Sequence, residues 1–248
     1  MSRVRASSPA PKKVKHVMKH FPAICIDDFY TDPDTVRQMA LAQEFEASAD
    51  GKWPGKRTPA IHTWNRPFFN MFCERLFSIY FDLDRSNIKW KVDTSFQLIM
   101  PFDTDPASPK NTGWIHTDGH NCVFAGVIYL TPGMHGASGT SIYNPRPDCV
   151  EQINQNHESM VHTKRNFFKN AIDNGFDQGI QEHNSCFEES ARFNNRYNRL
   201  VSYDGDTWHA ANSYHSIGEP RLTQVFFVDR IETDVPPPIT RSKQKEKL

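Results

Sequence analysis

The chain lacks a charge excess of either sign. Twenty-nine lysines and arginines stand against 29 aspartates and glutamates, so overall electrostatics give no reason to expect a nucleic acid or a membrane surface as partner. It has no apolar run of about 18 residues, the length that marks a spanning helix, and its start lacks the apolar block of a secretory signal. The five cysteines (Cys25, Cys73, Cys122, Cys149 and Cys186) are odd in number, widely spaced and without a CxxC pair. That pattern argues against a disulfide framework or a zinc ribbon and fits reduced thiols in the cytoplasm. There is no internal repeat, no glycine fingerprint for a phosphate or dinucleotide, and no GxSxG elbow, so Ser138-Gly139-Thr140 reads as a turn rather than a nucleophile.

What the chain does have is aromatic residues, with 18 Phe and seven Tyr among 248 residues, the composition of a β-rich packed core. Residues 1–16 carry Arg3, Arg5, Lys12, Lys13 and Lys15 without an acid and read as a disordered basic tail, and 236–248 reads as a second one. Such tails are ordinarily solvated. Between them, Ala23 to Ile26 predicts a strand. Asp32-Pro33 starts a helix that runs from Thr35 to about Phe45, and Pro67 to about Tyr80 predicts a second, with Phe68, Phe72, Leu76 and Ile79 on one apolar face. After Val92 the period becomes two. Phe96–Met100, Trp114–Asp118, Val123–Leu130, Thr140–Tyr143, Asn198–Tyr203 and Leu222–Val228 are short β-branched and aromatic runs punctuated by Gly, Pro, Asn and Asp. The expectation is a mainly β fold with flanking helices: helical support over 17–91, a jelly-roll core over 92–235, and a polar insertion at 146–197 with a helix around Met160–Ile172. That insertion is expected to lie over the pocket mouth.

The chemistry concentrates in His116-Thr117-Asp118, His209 and Arg221. His116 and Asp118 share a face of an extended strand, being two apart. Asp118-Gly119 is a turn signal, so the carboxylate can swing inward where the strand stops. A second imidazole from another strand, His209, completes two nitrogens and one carboxylate, the set that holds Fe(II) on one face and leaves the other open. Arg221 on the following strand supplies a fixed cation suited to a dicarboxylate.

These residues resemble the Fe(II)/2-oxoglutarate-dependent dioxygenases, in particular prolyl 4-hydroxylase-like and phage-type members. The resemblance runs from about Gln97 to Val228, through His116-Thr117-Asp118, Val127-Ile128-Tyr129-Leu130, Ser138-Gly139-Thr140, His209-Ala210 and Arg221-Leu222-Thr223. It implies a double-stranded β-helix of the jelly-roll or cupin-like kind. It also implies an iron held by His116, Asp118 and His209 and a distal 2-oxoglutarate carboxylate on Arg221 and Thr223. The activity implied is hydroxylation of a substrate, with dioxygen consumed and 2-oxoglutarate decarboxylated to succinate. A carboxylate at Asp118, where related halogenases have Gly or Ala, points to hydroxylation or another oxidation. The sequence departs from the pattern in the long loop 104–112 and in Pro101-Phe102, which stands where a co-substrate-binding Tyr is expected.

Other readings remain. His120 is an alternative ligand beyond the turn; His135, His157, His162, His183 and His215 read as surface residues. Asp204 and Asp206 read as solvated turn carboxylates, and Trp208 as either a pocket wall or a core residue. A non-catalytic jelly-roll module that binds metal, such as a phage accessory or structural protein, is the alternative to an enzyme, and a zinc-water hydrolase is a third. The thiol pattern places the chain in the cytoplasm, that of a host if phage-encoded. Its partner would be a small molecule or a peptidyl side chain, with no membrane involved and nothing beyond the short basic tails pointing to nucleic acid.

Overall fold

The computed structural model describes residues 21–234 except 120, 135, 171–174 and 216–218. Both basic tails and the alternative ligand His120 therefore lie outside the described residues. In chain order the elements are β1 (Ile24–Ile26), α1 (Pro33–Leu41), β2 (Glu46–Ala47), β3 (Lys56–Arg57), α2 (Ile61–Trp64), α3 (Arg66–Phe77), β4 (Ile88–Ile99) and β5 (Phe124–Tyr129). They continue with β6 (Thr140–Pro145), α4 (Val150–Asn170), α5 (Phe176–Asn184), β7 (Phe187–Phe193), β8 (Leu200–Asp204), β9 (Trp208–Ala211) and β10 (Arg221–Thr233). No described helix is long and apolar enough to cross a membrane.

The strands form a large antiparallel sheet, β1-β8-β5-β10-β4-β3-β2, and a small one, β7-β6-β9. His116 adds to the free side of β9 through an isolated antiparallel bridge to His209. From β4 onward the chain crosses repeatedly between the two sheets: β4, then His116, then β5, then β6 and β7, then β8, β9 and β10. That to-and-fro winding is a double-stranded β-helix, as expected.

Period-two alternation divides the large sheet. Phe96, Phe124, Ile128, Leu200, Leu222, Phe226 and Val228 pack with Phe72, Cys73, Leu76 and Phe77 of α3 and with Val36 and Ala40 of α1 in one apolar core. Both helices begin at side-chain caps. Asp32 accepts from the Thr35 amide at 3.0 Å and Asn65 from the Phe68 amide at 3.1 Å, each with a proline in the first turn, which fixes where the apolar faces start.

Two expectations need correction. Trp114–Asp118 is not a regular strand. The His116 and His209 backbones exchange bonds of 3.0 and 2.9 Å, but the flanking Gly113 N–H to Ala211 and Asp118 N–H to Gly205 contacts are out of register with that pair, so no ladder propagates. The segment 146–197 is also not wholly an insertion. It contains β7, which pairs with β6 from Thr140↔Phe193 to Pro145↔Phe187. β7 carries charged residues at an exposed sheet edge, as such strands do to block further pairing, and this hides its strand character in the sequence. The helix within that segment is longer than expected, running over Val150–Asn170.

Candidate metal centre

His116, Asp118 and His209 lie together at one end of the space between the sheets, with ligand atoms all within 4.8 Å of one another. His116 Nε2 is 4.0 Å from Asp118 Oδ1, and His209 Nε2 is 3.6 Å from Asp118 Oδ2. The two rings sit 4.5 Å apart, and Tyr203 covers His209 at 4.1 Å.

The backbone sets the imidazole orientation. His116 Nδ1 lies 2.8 Å from the Trp114 carbonyl and His209 Nδ1 lies 2.9 Å from the Thr207 carbonyl. A carbonyl can only accept, so each Nδ1 carries the proton and each Nε2 lone pair is free for a ligand. Asp118 is aimed by the turn after it. Gly119 has φ +92°, a conformation side chains resist, and its carbonyl accepts from the Cys122 N–H at 3.0 Å. The start of the segment is pinned by α5. Asn184 accepts from the Ile115 N–H at 3.1 Å and donates to the Gly113 carbonyl at 3.0 Å, while His183 Nε2 reaches the Ile115 carbonyl at 2.7 Å. His183, expected at the surface, is therefore buried and stacked on Trp114.

The electrostatics of the cluster suit a cation. Burial pushes the Asp118 carboxyl above its usual range, against the opposing pull of His209, Arg57 and Lys164. Its Oδ2 is buried without a hydrogen bond among the described residues. Burial first, then His209 and Lys164, holds His116 well below the ordinary imidazole value. Its remaining exposure opens onto the cavities it lines. Two imidazoles with their Nε2 atoms turned inward and a carboxylate oxygen without a donor among the described residues fit a divalent first-row ion. Bonds of about 2.0–2.2 Å would place ligand atoms about 3–4 Å apart, close to the spacing found here.

The cluster opens on a cavity of about 440 Å³ that Arg221 also lines. Arg221 is buried. Its Nε donates to the Ser138 carbonyl at 3.2 Å and its guanidinium lies 5.5 Å from the centre of the Tyr129 ring. Among the described residues its terminal nitrogens have no hydrogen-bond acceptor. Thr223 shares that face of β10 and is fully buried, but it does not line the cavity, and its Oγ1 has no hydrogen bond among the described residues. Phe102 packs on Phe167 and Phe168 of α4, while the cavity tyrosines are Tyr203 and Tyr214.

Several lining residues escaped the sequence reading. Arg57 of β3, Trp53 before it, and Lys164, Arg165 and Phe168 of α4 all face this cavity. α4 is amphipathic with few aliphatic residues, and a lysine on such a helix ordinarily reads as solvated. Burial lowers Lys164 to about 8 and Arg57 to about 10. The roof closes where Gly51, at φ +66°, meets α4; a Cβ there would sit 2.0 Å from the Arg165 carbonyl oxygen. Asp204 is neither solvated nor a site. It is buried and accepts from the Phe21 and Asp206 amides at 2.6 and 3.0 Å. Trp208 packs on Phe187 and lines a smaller cavity beside His116.

Fold and site together define a double-stranded β-helix with a His-x-Asp…His cluster between its sheets. The chain belongs to a family of unknown function (DUF6445), whose model matches residues 8–217. No curated protein matches it. Among solved structures it is similar to HygX from Streptomyces hygroscopicus, solved with nickel and 2-oxoglutarate bound, at 10% identity and a TM-score of 0.48 over 83% of this chain and 82% of that one. It is similar to EvdO2 from Micromonospora carbonacea var. aurantiaca at 10% identity and a TM-score of 0.47, over 87% and 90%. A prolyl hydroxylase from Trichoplax adhaerens in complex with a peptide aligns at 10% identity and a TM-score of 0.44, over 84% and 83%.

Proposed function

We propose that this protein is an Fe(II)/2-oxoglutarate-dependent oxygenase that hydroxylates an organic substrate while 2-oxoglutarate is converted to succinate. The reading is carried by one observation: two imidazoles with their Nε2 atoms turned inward lie 4.0 and 3.6 Å from the two oxygens of one carboxylate, Asp118, whose Oδ2 is buried without a hydrogen bond among the described residues. His116, Asp118 and His209 would hold the iron. When bound, the metal supplies the open positions and redox chemistry that dioxygen and a 2-oxo acid require.

The chain's own residues do the rest. Arg221, with terminal nitrogens free and Tyr129 behind its guanidinium, accepts the distal carboxylate of 2-oxoglutarate and fixes its orientation. Thr223, on the same strand face, is assigned the second contact to that carboxylate, through its unpaired hydroxyl. Reaching it requires a small shift of the wall, because Thr223 is covered. Trp53, Phe168 and Phe227 narrow the cavity and exclude water from the reacting centre. The test is succinate formation from 2-oxoglutarate by iron-loaded protein under air. Wild type should form succinate and His209→Ala should not. A chain that takes up one metal per molecule yet forms no succinate would instead be a metal-binding module.

A further inference from the structure

The cavity is charged in a way that iron and 2-oxoglutarate do not explain. Lys52, Arg57, Lys164, Arg165 and Arg221 line it, against one carboxylate among the described lining residues, Asp118. The whole chain is neutral, so this excess is local. Lys52 is already paired with Asp50 at 3.0 Å, Arg165 is exposed, and Arg221 is assigned to the co-substrate. Arg57 and Lys164 remain. Both face Asp118, which the metal would claim.

Arg57 is built as a receptor. Its guanidinium lies 4.6 Å from the centre of the Trp53 ring and 5.5 Å from that of Phe227. Aromatic contacts of this kind hold the fork while leaving its N–H edge able to bind an oxyanion in two-pronged fashion. Its Nε is buried without a hydrogen bond, and its other bond is a long one of 3.4 Å to Gln97 Oε1. Lys164 reaches the cavity from α4 and makes no hydrogen bond or ion pair among the described residues. It lines both the main cavity and the smaller one beside His116. Arg57 and Lys164 are half-buried, and the cavity-lining carboxylate that acts on both is Asp118. With Asp118 given over to a metal, an anion between the two cations would offset the cost of desolvating them.

We propose that the substrate carries an oxyanion, a carboxylate or a phosphate, which Arg57 and Lys164 hold across the cavity while its C–H bond faces His116, Asp118 and His209. The proposal rests on the oxygenase reading for the chemistry but not for the anion site itself. Arg57 and Lys164 are specificity residues, separate from the Arg221 position.

The test is calorimetric, on full-length protein loaded with Mn(II) and saturating 2-oxoglutarate, titrated with inorganic phosphate, benzoate and neutral benzamide. At least one anion should bind, and whichever binds more tightly identifies the source of the charge. Benzamide should not bind. Arg57→Gln and Lys164→Gln should each weaken anion binding at least tenfold, with Arg57→Lys recovering part of the loss. Lys164→Gln lies on a helix outside the large sheet and keeps the test alive should Arg57→Gln fail to fold. Equal binding of benzamide and benzoate, or anion binding unchanged in both glutamine variants, would overturn the proposal. If 2-oxoglutarate does not bind wild type at all, the oxygenase reading falls, and the same titrations on the Mn(II)-loaded protein judge the anion site alone.

Discussion

Along β10, Leu222, Gln224, Phe226 and Val228 face the supporting helices, while Arg221, Thr223, Val225 and Phe227 face the space between the sheets. The two faces treat polar groups differently. On the helix face Gln224 is fully engaged, accepting from the Tyr30 hydroxyl at 2.5 Å and donating to Thr94 at 3.0 Å. On the cavity side Trp53 Nε1, Arg57 Nε, Asp118 Oδ2 and Thr223 Oγ1 are all buried without a hydrogen bond among the described residues. Buried polar atoms are ordinarily paired. The helix face is thus finished by the protein itself, whereas the cavity face keeps buried polar atoms that its described residues do not pair.

The largest effect should come from breaking the finished face. Phe226→Ala removes a fully buried ring packed against Phe72 and Phe124 and should cost about 3–5 kcal/mol in urea unfolding. Metal affinity of the folded fraction should hold. On the cavity face, Asp118→Ala should weaken divalent-metal binding more than about 100-fold, since changes to residues behind metal ligands already cost about 10–100-fold. Unfolding in the absence of metal should respond far less than it does to Phe226→Ala.

Arg221→Ala should reduce 2-oxoglutarate affinity by at least about 2 kcal/mol, the loss expected on truncating one member of a buried charge pair. Metal affinity should barely move, and calorimetry reads both. The smallest effect sharpens the contrast. Thr223→Val replaces a hydroxyl that lacks a partner, so the stability of the ligand-free protein should change by less than about 1 kcal/mol. A drop in 2-oxoglutarate affinity in the same variant would assign Thr223 to the co-substrate; no drop would remove it from the site.

The sequence made the His-Asp-His cluster legible because its residue types are restrictive. Few uses demand His-x-Asp before a turn, a second His and an Arg on the next strand, and the fold brings His116, Asp118 and His209 together. Strand periodicity also revealed most of the large sheet, because Phe96, Phe124 and Phe226 alternate with smaller or polar residues. It failed at β7, whose Glu188, Glu189 and Arg192 read as loop, and at Trp114–Asp118, where side-chain clamps from Asn184 and His183 replace a ladder. The roof was hidden for a different reason. Lys164 and Arg57 acquire meaning only when α4 and β3 close over Asp118, and nothing local in either segment announces that contact. Because β7 belongs to the core, removal of the whole 146–197 segment should unfold the small sheet. A lid variant must therefore spare 187–193.

The central claim is that one divalent ion, held by His116, Asp118 and His209, creates the 2-oxoglutarate site. The direct measurement is calorimetric titration of 2-oxoglutarate into the protein with and without one equivalent of Mn(II), repeated on His209→Ala. The account predicts binding that requires the metal and disappears in the variant. Binding of equal strength without metal, or in His209→Ala, would contradict it.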